Sequence, residues 1–218
     1  GDALAGMSVY LDTIKNTHVE VSFGRKYGDT DITRENIGLD FSTTPHGMVN
    51  LYGRLTYDTI SESYNETLFG VKVTPLTDLA LRGEYYQSYP TFDTTSVYSI
   101  FAVQQYKEAS LSAEYAVTSN YRVNFKYARE SFDSDANADL FEVGLLAKPI
   151  KNLTLNASYE YRNGYAGDIS GIRLYGEYKI SKVAISAGID YDDFRREVSR
   201  EGNAKKYWAG LNYEFNKI

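Results

Sequence analysis

The chain contains no cysteine. That absence excludes a disulfide scaffold, a thiol nucleophile and a thiolate metal site. Histidine is nearly absent too, with only His18 and His46, so no histidine triad can hold zinc. There is no long apolar run. The most apolar window, Ser96–Val103, is too short and too polar for a membrane-spanning helix. Proline occurs 4 times and tryptophan once. No stretch repeats with a helical period, and no phosphate-binding glycine loop is found. Basic residues, 23 against 29 acidic, leave a formal charge of -6. A nucleic acid partner is therefore not expected, because phosphate binding needs a basic stripe. The chain opens Gly-Asp without a signal peptide, which points to processing or to upstream residues missing from it.

What is abundant is tyrosine, 21 residues, with 10 phenylalanines. Aromatics at that level suit strands and membrane interfaces. Period-2 alternation runs from end to end. Val19, Val21 and Phe23 alternate with His18, Glu20 and Ser22; Leu153, Leu155, Ala157 and Tyr159 alternate with Thr154, Asn156, Ser158 and Glu160. The same holds for Val183, Ile185, Ala187 and Ile189 against Ala184, Ser186, Gly188 and Asp190. Mean hydropathy is -0.42, as in soluble proteins. A barrel escapes that average, since only alternate residues face lipid.

Strands are predicted near 6–14, 17–27, 35–44, 48–58, 67–74, 79–88, 96–117, 121–130, 139–147, 153–162, 171–180, 183–191 and 204–215, each boundary carrying ~2–4 residues of error. Tight connections (Lys15-Asn16, Pro45-His46-Gly47, 75–78, 118–120, 149–152, Ser181-Lys182) alternate with longer polar ones at 28–34, 59–66, 89–95, 131–138, 163–170 and 192–203. Short turns at one end and long loops at the other mark outer-membrane barrels; a Greek-key sandwich has no such rule. Tyr57, Tyr85, Tyr127, Tyr161, Tyr191 and Tyr207 fall on the apolar parity beside the long loops. Tyr115, Tyr121, Tyr178, Tyr213 and Phe215 fall on it beside the short turns. Two girdles result, with aliphatic residues between them.

The expected fold is all-β: a transmembrane antiparallel up-and-down β-barrel of about 12–14 strands, one domain over 1–218, whole or part of a larger barrel. An odd count leaves the first and last strands running the same way. Antiparallel closure forbids that, so the expectation is that one or more N-terminal strands are missing or that another subunit completes the wall. Segment 96–117 keeps its parity throughout and reads as one long strand, apolar on both faces in its outer part. Val97, Phe101 and Val103 lie on one side and Tyr98 and Ile100 on the other, a candidate contact surface for a second chain or for a loop folded on itself.

The inward parity carries both signs of charge. Arg54, Arg82, Glu84, Arg122, Lys126, Glu142, Glu160, Arg162, Arg173 and Glu177 are the candidate pore-lining residues. Buried charges must be paired or hydrated, so these residues brace the barrel as ion pairs, line a hydrated and weakly selective pore, or do both. Asp133, Asp135, Asn137 and Asp139 have the spacing that opens a calcium loop. Ala138 stands where that loop requires glycine and Gly144 where it requires glutamate, so a solvated acidic loop is the reading. A Ser-His-carboxylate site would need His18 as base, pointing inward.

Lys148-Pro-Ile-Lys-Asn-Leu-Thr-Leu-Asn-Ala-Ser-Tyr-Glu-Tyr-Arg162 and Thr74-Pro-Leu-Thr-Asp-Leu-Ala-Leu-Arg-Gly-Glu-Tyr-Tyr86 resemble hairpins of large Gram-negative outer-membrane porins. Trp208-Ala-Gly-Leu-Asn-Tyr-Glu-Phe215 is similar to the closing strand of such barrels, although the chain continues to Ile218 past the aromatic. The same phrases resemble the barrels that sheathe multihaem cytochromes in metal-respiring bacteria. No Cys-x-x-Cys-His is present, so any haem would belong to a partner.

The resemblance implies a porin-like channel in the bacterial outer membrane that passes small hydrophilic solutes or ions. It has membrane lipid as its surroundings, no cofactor and no catalysis. The alternative is a scaffold that encloses or docks a partner protein such as an electron-transfer cytochrome, or that assembles with copies of itself. A surface hydrolase ranks below both.

Overall fold

The structure is a computed structural model that describes residues 3–12, 15–28, 31–89, 105–133, 136–164, 167–196 and 200–214. All regular structure among them is strand, in one 13-stranded sheet whose order follows the chain. The strands are β1 (Ala3–Leu11), β2 (Thr17–Tyr27), β3 (Ile32–His46), β4 (Val49–Asp58), β5 (Ser63–Leu76), β6 (Leu79–Ser88), β7 (Tyr106–Thr118), β8 (Tyr121–Phe132), β9 (Asn137–Ile150), β10 (Leu153–Gly164), β11 (Asp168–Ile180), β12 (Val183–Arg196) and β13 (Arg200–Tyr213). This is the up-and-down antiparallel arrangement expected from the alternation. No helix among the described residues is long and apolar enough to cross a membrane, which does not bear on crossing by strands.

Contacts group the chain into two compact units. One comprises Gly1–Pro75, Arg82–Ser110 and Glu130–Ala136, and the other Leu76–Leu81, Leu111–Arg129 and Asn137–Ile218. In the first, register places Val21 opposite Leu39, Leu39 opposite Leu55, and Leu51 opposite Val71, all on one face. In the second, Leu155 faces Ala147, Leu174 faces both Ala157 and Ile189, and Ile185 faces Leu211. The two-residue period thus sorts side chains onto an apolar and a polar face, as a pleated sheet requires.

No large side chain among the described residues is fully buried. The buried apolar residues are Ala128, Ala138 and Ala147, while Val21 is 50%, Phe69 49% and Leu174 47% exposed. A water-soluble domain hides such side chains in a core, and large exposed apolar patches mark a surface made for another environment. Length agrees. The 13 residues of β11, at ~3.3 Å each and tilted ~40°, rise roughly 33 Å, enough for a bilayer core of ~30 Å.

The turn ends are tighter than expected. Pro45 and His46 belong to β3, and the turn is Gly47–Met48; Pro75 and Leu76 likewise belong to β5, leaving Thr77–Asp78. Each short turn is tied to a neighbouring strand by its carbonyl. Asn16 accepts from the Thr44 amide at 2.8 Å, Met48 from Thr74 at 2.8 Å, Asn120 from Lys148 at 2.8 Å and Lys182 from Glu214 at 2.9 Å. Asn16 and Ser181 take left-handed φ of 59° and 56° to make these turns.

The opposite ends also depart from the reading. β3 begins at Ile32, β5 at Ser63 and β12 runs to Arg196, so several of the polar connections shrink to a few residues. The strand ends there are held by backbone ladders and by side-chain pairs such as Arg25 with Glu35, where hydropathy no longer alternates. Of the long strand expected over 96–117, the part from Tyr106 belongs to β7, and 96–104 lie outside the described residues. Gln105 is not in a strand, and its amide donates to the Asp133 carboxylate at 2.6 Å. The candidate contact residues Val97, Tyr98, Ile100, Phe101 and Val103 lie outside the described residues, as does Phe215 of the expected girdle.

Candidate functional site

The polar face is the candidate site, because it is where this fold concentrates its charge. In the first unit Glu20, Asp40 and Arg54 stand side by side on β2, β3 and β4. The Arg54 Nε donates to Asp40 Oδ1 at 2.7 Å. Arg82 lies 3.8 Å from Glu84 on β6, and Glu84 also accepts the Tyr52 hydroxyl at 2.5 Å. Tyr52 reaches across by lying over Gly70, its cross-strand partner, where a Cβ would meet the ring at 2.2 Å. Tyr106 donates to Glu108 at 2.5 Å and packs against Tyr86 and Phe132, with ring centroids at 6.1 and 5.5 Å.

In the second unit Arg122 pairs with Glu114 at 3.3 Å. Asn124 lies over Gly144 and donates to Glu142 at 3.5 Å. Glu142 stands opposite Glu160. Arg173 reaches Glu160 at 4.0 Å and Asp192 at 3.2 Å. It does so across Gly171, whose missing Cβ would sit 2.4 Å from Asp192 Oδ1 and 2.6 Å from Arg173 Nη1. Glu177 takes the Tyr175 hydroxyl at 2.9 Å and lies 3.4 Å from Lys179, while Lys206 lies 3.9 Å from Asp190. Lys126 and Arg162 share the polar parity and are engaged as well. The ten residues singled out from sequence share the polar parity of their strands, some in one unit and some in the other. Those with described partners are charge-paired or hydrogen-bonded to a neighbour.

The pairing partners Asp40, Asp190 and Asp192 and the glycines beneath the long side chains emerge only with the register. Strand parity marks which face they share, but no local signal tells which residue stands opposite which.

Other candidate chemistry resolves into structure. His18 Nδ1 and Asp12 Oδ1 are 2.6 Å apart, with 43% and 60% of the two side chains exposed. Ser42 stands opposite His18, yet no hydrogen bond between them is found. Of the acidic loop, Asp133 holds the Gln105 amide, and Asp139 accepts from Arg129 at 2.6 Å and Tyr127 at 2.8 Å. Among the described residues no group of three or more His, Cys, Asp or Glu could hold a metal ion.

Solved structures with the same arrangement are outer-membrane proteins. A bacterial polysaccharide outer membrane secretin superposes with TM-score 0.63 at 8% identity, over 99% of this chain and 79% of its own. An anion-selective porin from Comamonas acidovorans gives 0.62 at 12% identity, over 96% and 84%. The fold is that of the outer-membrane β-barrels. A mutant of Rh. blastica porin matches at 0.58 and 16% identity, over 99% and 81%. At these identities the likeness shows the barrel fold alone. No family model matches the sequence, and no curated protein matches it either.

Proposed function

We propose that this barrel sits in a bacterial outer membrane and forms a porin-like channel for passive passage of small hydrophilic solutes or ions. The observation that carries the proposal is the contrast between the faces at one height. Leu174, in the middle of β11, stands 47% exposed on the apolar face. Its neighbour Arg173 carries a three-membered charge network on the other. Charges at mid-membrane height are tolerated only where water reaches them. A wall apolar outside and charged inside therefore encloses a hydrated lumen. The near balance of paired cations and carboxylates favours weak ion selectivity.

No catalytic role is proposed. The His18–Asp12 pair is exposed at the short-turn end and lacks a positioned nucleophile. The test is reconstitution of purified, folded protein in planar bilayers. Stepwise conductance supports the channel, and folded protein that passes no current refutes it.

A second reading, a scaffold around a partner protein, is favoured by β1. Leu4 (81%) and Tyr10 (68%) on one face and Met7 (70%) and Val9 (67%) on the other are all exposed. A stoichiometric partner that persists through purification in mild detergent favours that reading.

A further inference from the structure

The chain's single tryptophan, Trp208, is on the polar face of β13, not among the aromatics of the apolar face. Tyr175, Gly188 and Trp208 form one cross-strand row over β11, β12 and β13. The glycine makes room. A Cβ on Gly188 would lie 2.5 Å from Trp208 Cε2 and 2.6 Å from its Nε1, so the indole lies flat across the bare backbone. There it stacks with Tyr175, ring centroids 5.4 Å apart and planes 27° from parallel. Covering a cross-strand glycine accounts for the lower side of the indole. It leaves 36% of Trp208 exposed, and its N–H meets no acceptor among the described residues.

Paired charges flank the row. Arg173 with Asp192 at 3.2 Å and Lys206 with Asp190 at 3.9 Å lie toward the longer connections; Glu177 with Lys179 at 3.4 Å lies toward the short turns.

We infer that Tyr175 and Trp208 form a stacking platform for the ring of a neutral saccharide, an inference that rests on this face lining a hydrated channel. An aromatic face exposed to water on a polar wall binds solutes that present a flat, weakly hydrated side. The flanks decide the class. Each cation already has its carboxylate, so the local field discriminates against an anion or an organic cation, which would have to displace a partner. Donors and acceptors of both kinds instead suit a rim of hydroxyls, and the free indole N–H adds one donor. A pyranose combines such a rim with an apolar ring face.

The experiment uses the folded chain, whose tryptophan fluorescence, excited at the red edge where tyrosine does not absorb, comes from Trp208 alone. Maltohexaose should change that emission saturably in detergent. Sorbitol, an acyclic polyol with hydroxyls and no ring, should leave it unchanged. Tyr175→Ala, which keeps the reporter, should weaken the maltohexaose response by about tenfold, the upper range for one aromatic pair. In bilayers maltohexaose should interrupt the current. Trp208→Phe should retain much of that block and Trp208→Ala should lose it, with heat-modifiable gel migration confirming that each variant is folded. Emission of the folded protein that ignores maltohexaose, or that responds equally to sorbitol, overturns the platform. Conductance without a fluorescence response rejects the platform and leaves the channel standing. A saturable response in a protein that never conducts rejects the channel and leaves the platform.

Discussion

Leu174→Arg is the sharpest perturbation of the facing assignment. Leu174 is the central residue of β11, Asp168–Ile180, and lies between Ala157 and Ile189 on the apolar face. From it to either end of the strand are six steps, ~20 Å along the chain and ~15 Å along the membrane normal at a tilt of ~40°. That is half of a ~30 Å hydrocarbon core, so Leu174 sits at the bilayer midplane. An arginine there should cost about 2–4 kcal/mol, falling to about 0–1 near the interface. Ile180→Arg, at the end of the same strand and face, should therefore be nearly neutral. Ser186→Arg should also be tolerated, because Ser186 is on the polar face opposite Glu177. The assay is reversible urea unfolding from lipid vesicles, followed by tryptophan emission and heat-modifiable migration. Equal destabilisation at Leu174 and Ser186 would refute the assignment of faces. Equal costs at Leu174 and Ile180 would refute the depth scale.

Gly164→Ala should destabilise by about 1–3 kcal/mol, because φ is +111° and the new Cβ would meet the Asn137 carbonyl at 2.3 Å. Gly24→Ala, with nothing within 4 Å, should be close to neutral in the same denaturation series. Asn65 is 9% exposed with neither amide atom hydrogen-bonded. Asn65→Leu should thus raise the unfolding free energy by about 1 kcal/mol through loss of a desolvated amide; a lowered stability contradicts that reasoning. Asp40→Asn removes the carboxylate facing Arg54, so the reversal potential in a salt gradient should move toward anion preference. An unmoved potential would take that pair out of the conducting lumen.

Much of the architecture is written in the one-dimensional pattern. A pleated strand turns alternate residues to opposite sides, so the run from Leu153 to Tyr161 declares its two faces before any partner is known. Gly47, Asn152 and Ser181-Lys182 mark reversals through local backbone preference, and the sequence count of thirteen strands follows from those two signals together. The membrane reading needs more than parity, and it follows because short turns alternate with longer polar connections and tyrosines gather at both ends of the apolar parity, which a Greek-key sandwich has no reason to do.

What alternation does not carry is pairing. Beyond the apolar band both faces of a strand are polar, as at Thr33-Arg34-Glu35. The hydropathy signal vanishes there although the backbone ladder continues, so the strands outran the expected boundaries. Register is likewise a relation between distant segments. Asn65 is buried beside the irregularity where Tyr57 comes to face Tyr64, and nothing local to β5 announces it. Arg173 finds Asp192 only because Gly171 lies opposite Asp192, and Trp208 meets Tyr175 only because Gly188 falls between them. Parity alone puts all of these residues on the polar face. Which of them touch is set by hydrogen-bond register, because a slip of one residue exchanges the faces and a slip of two separates every pair.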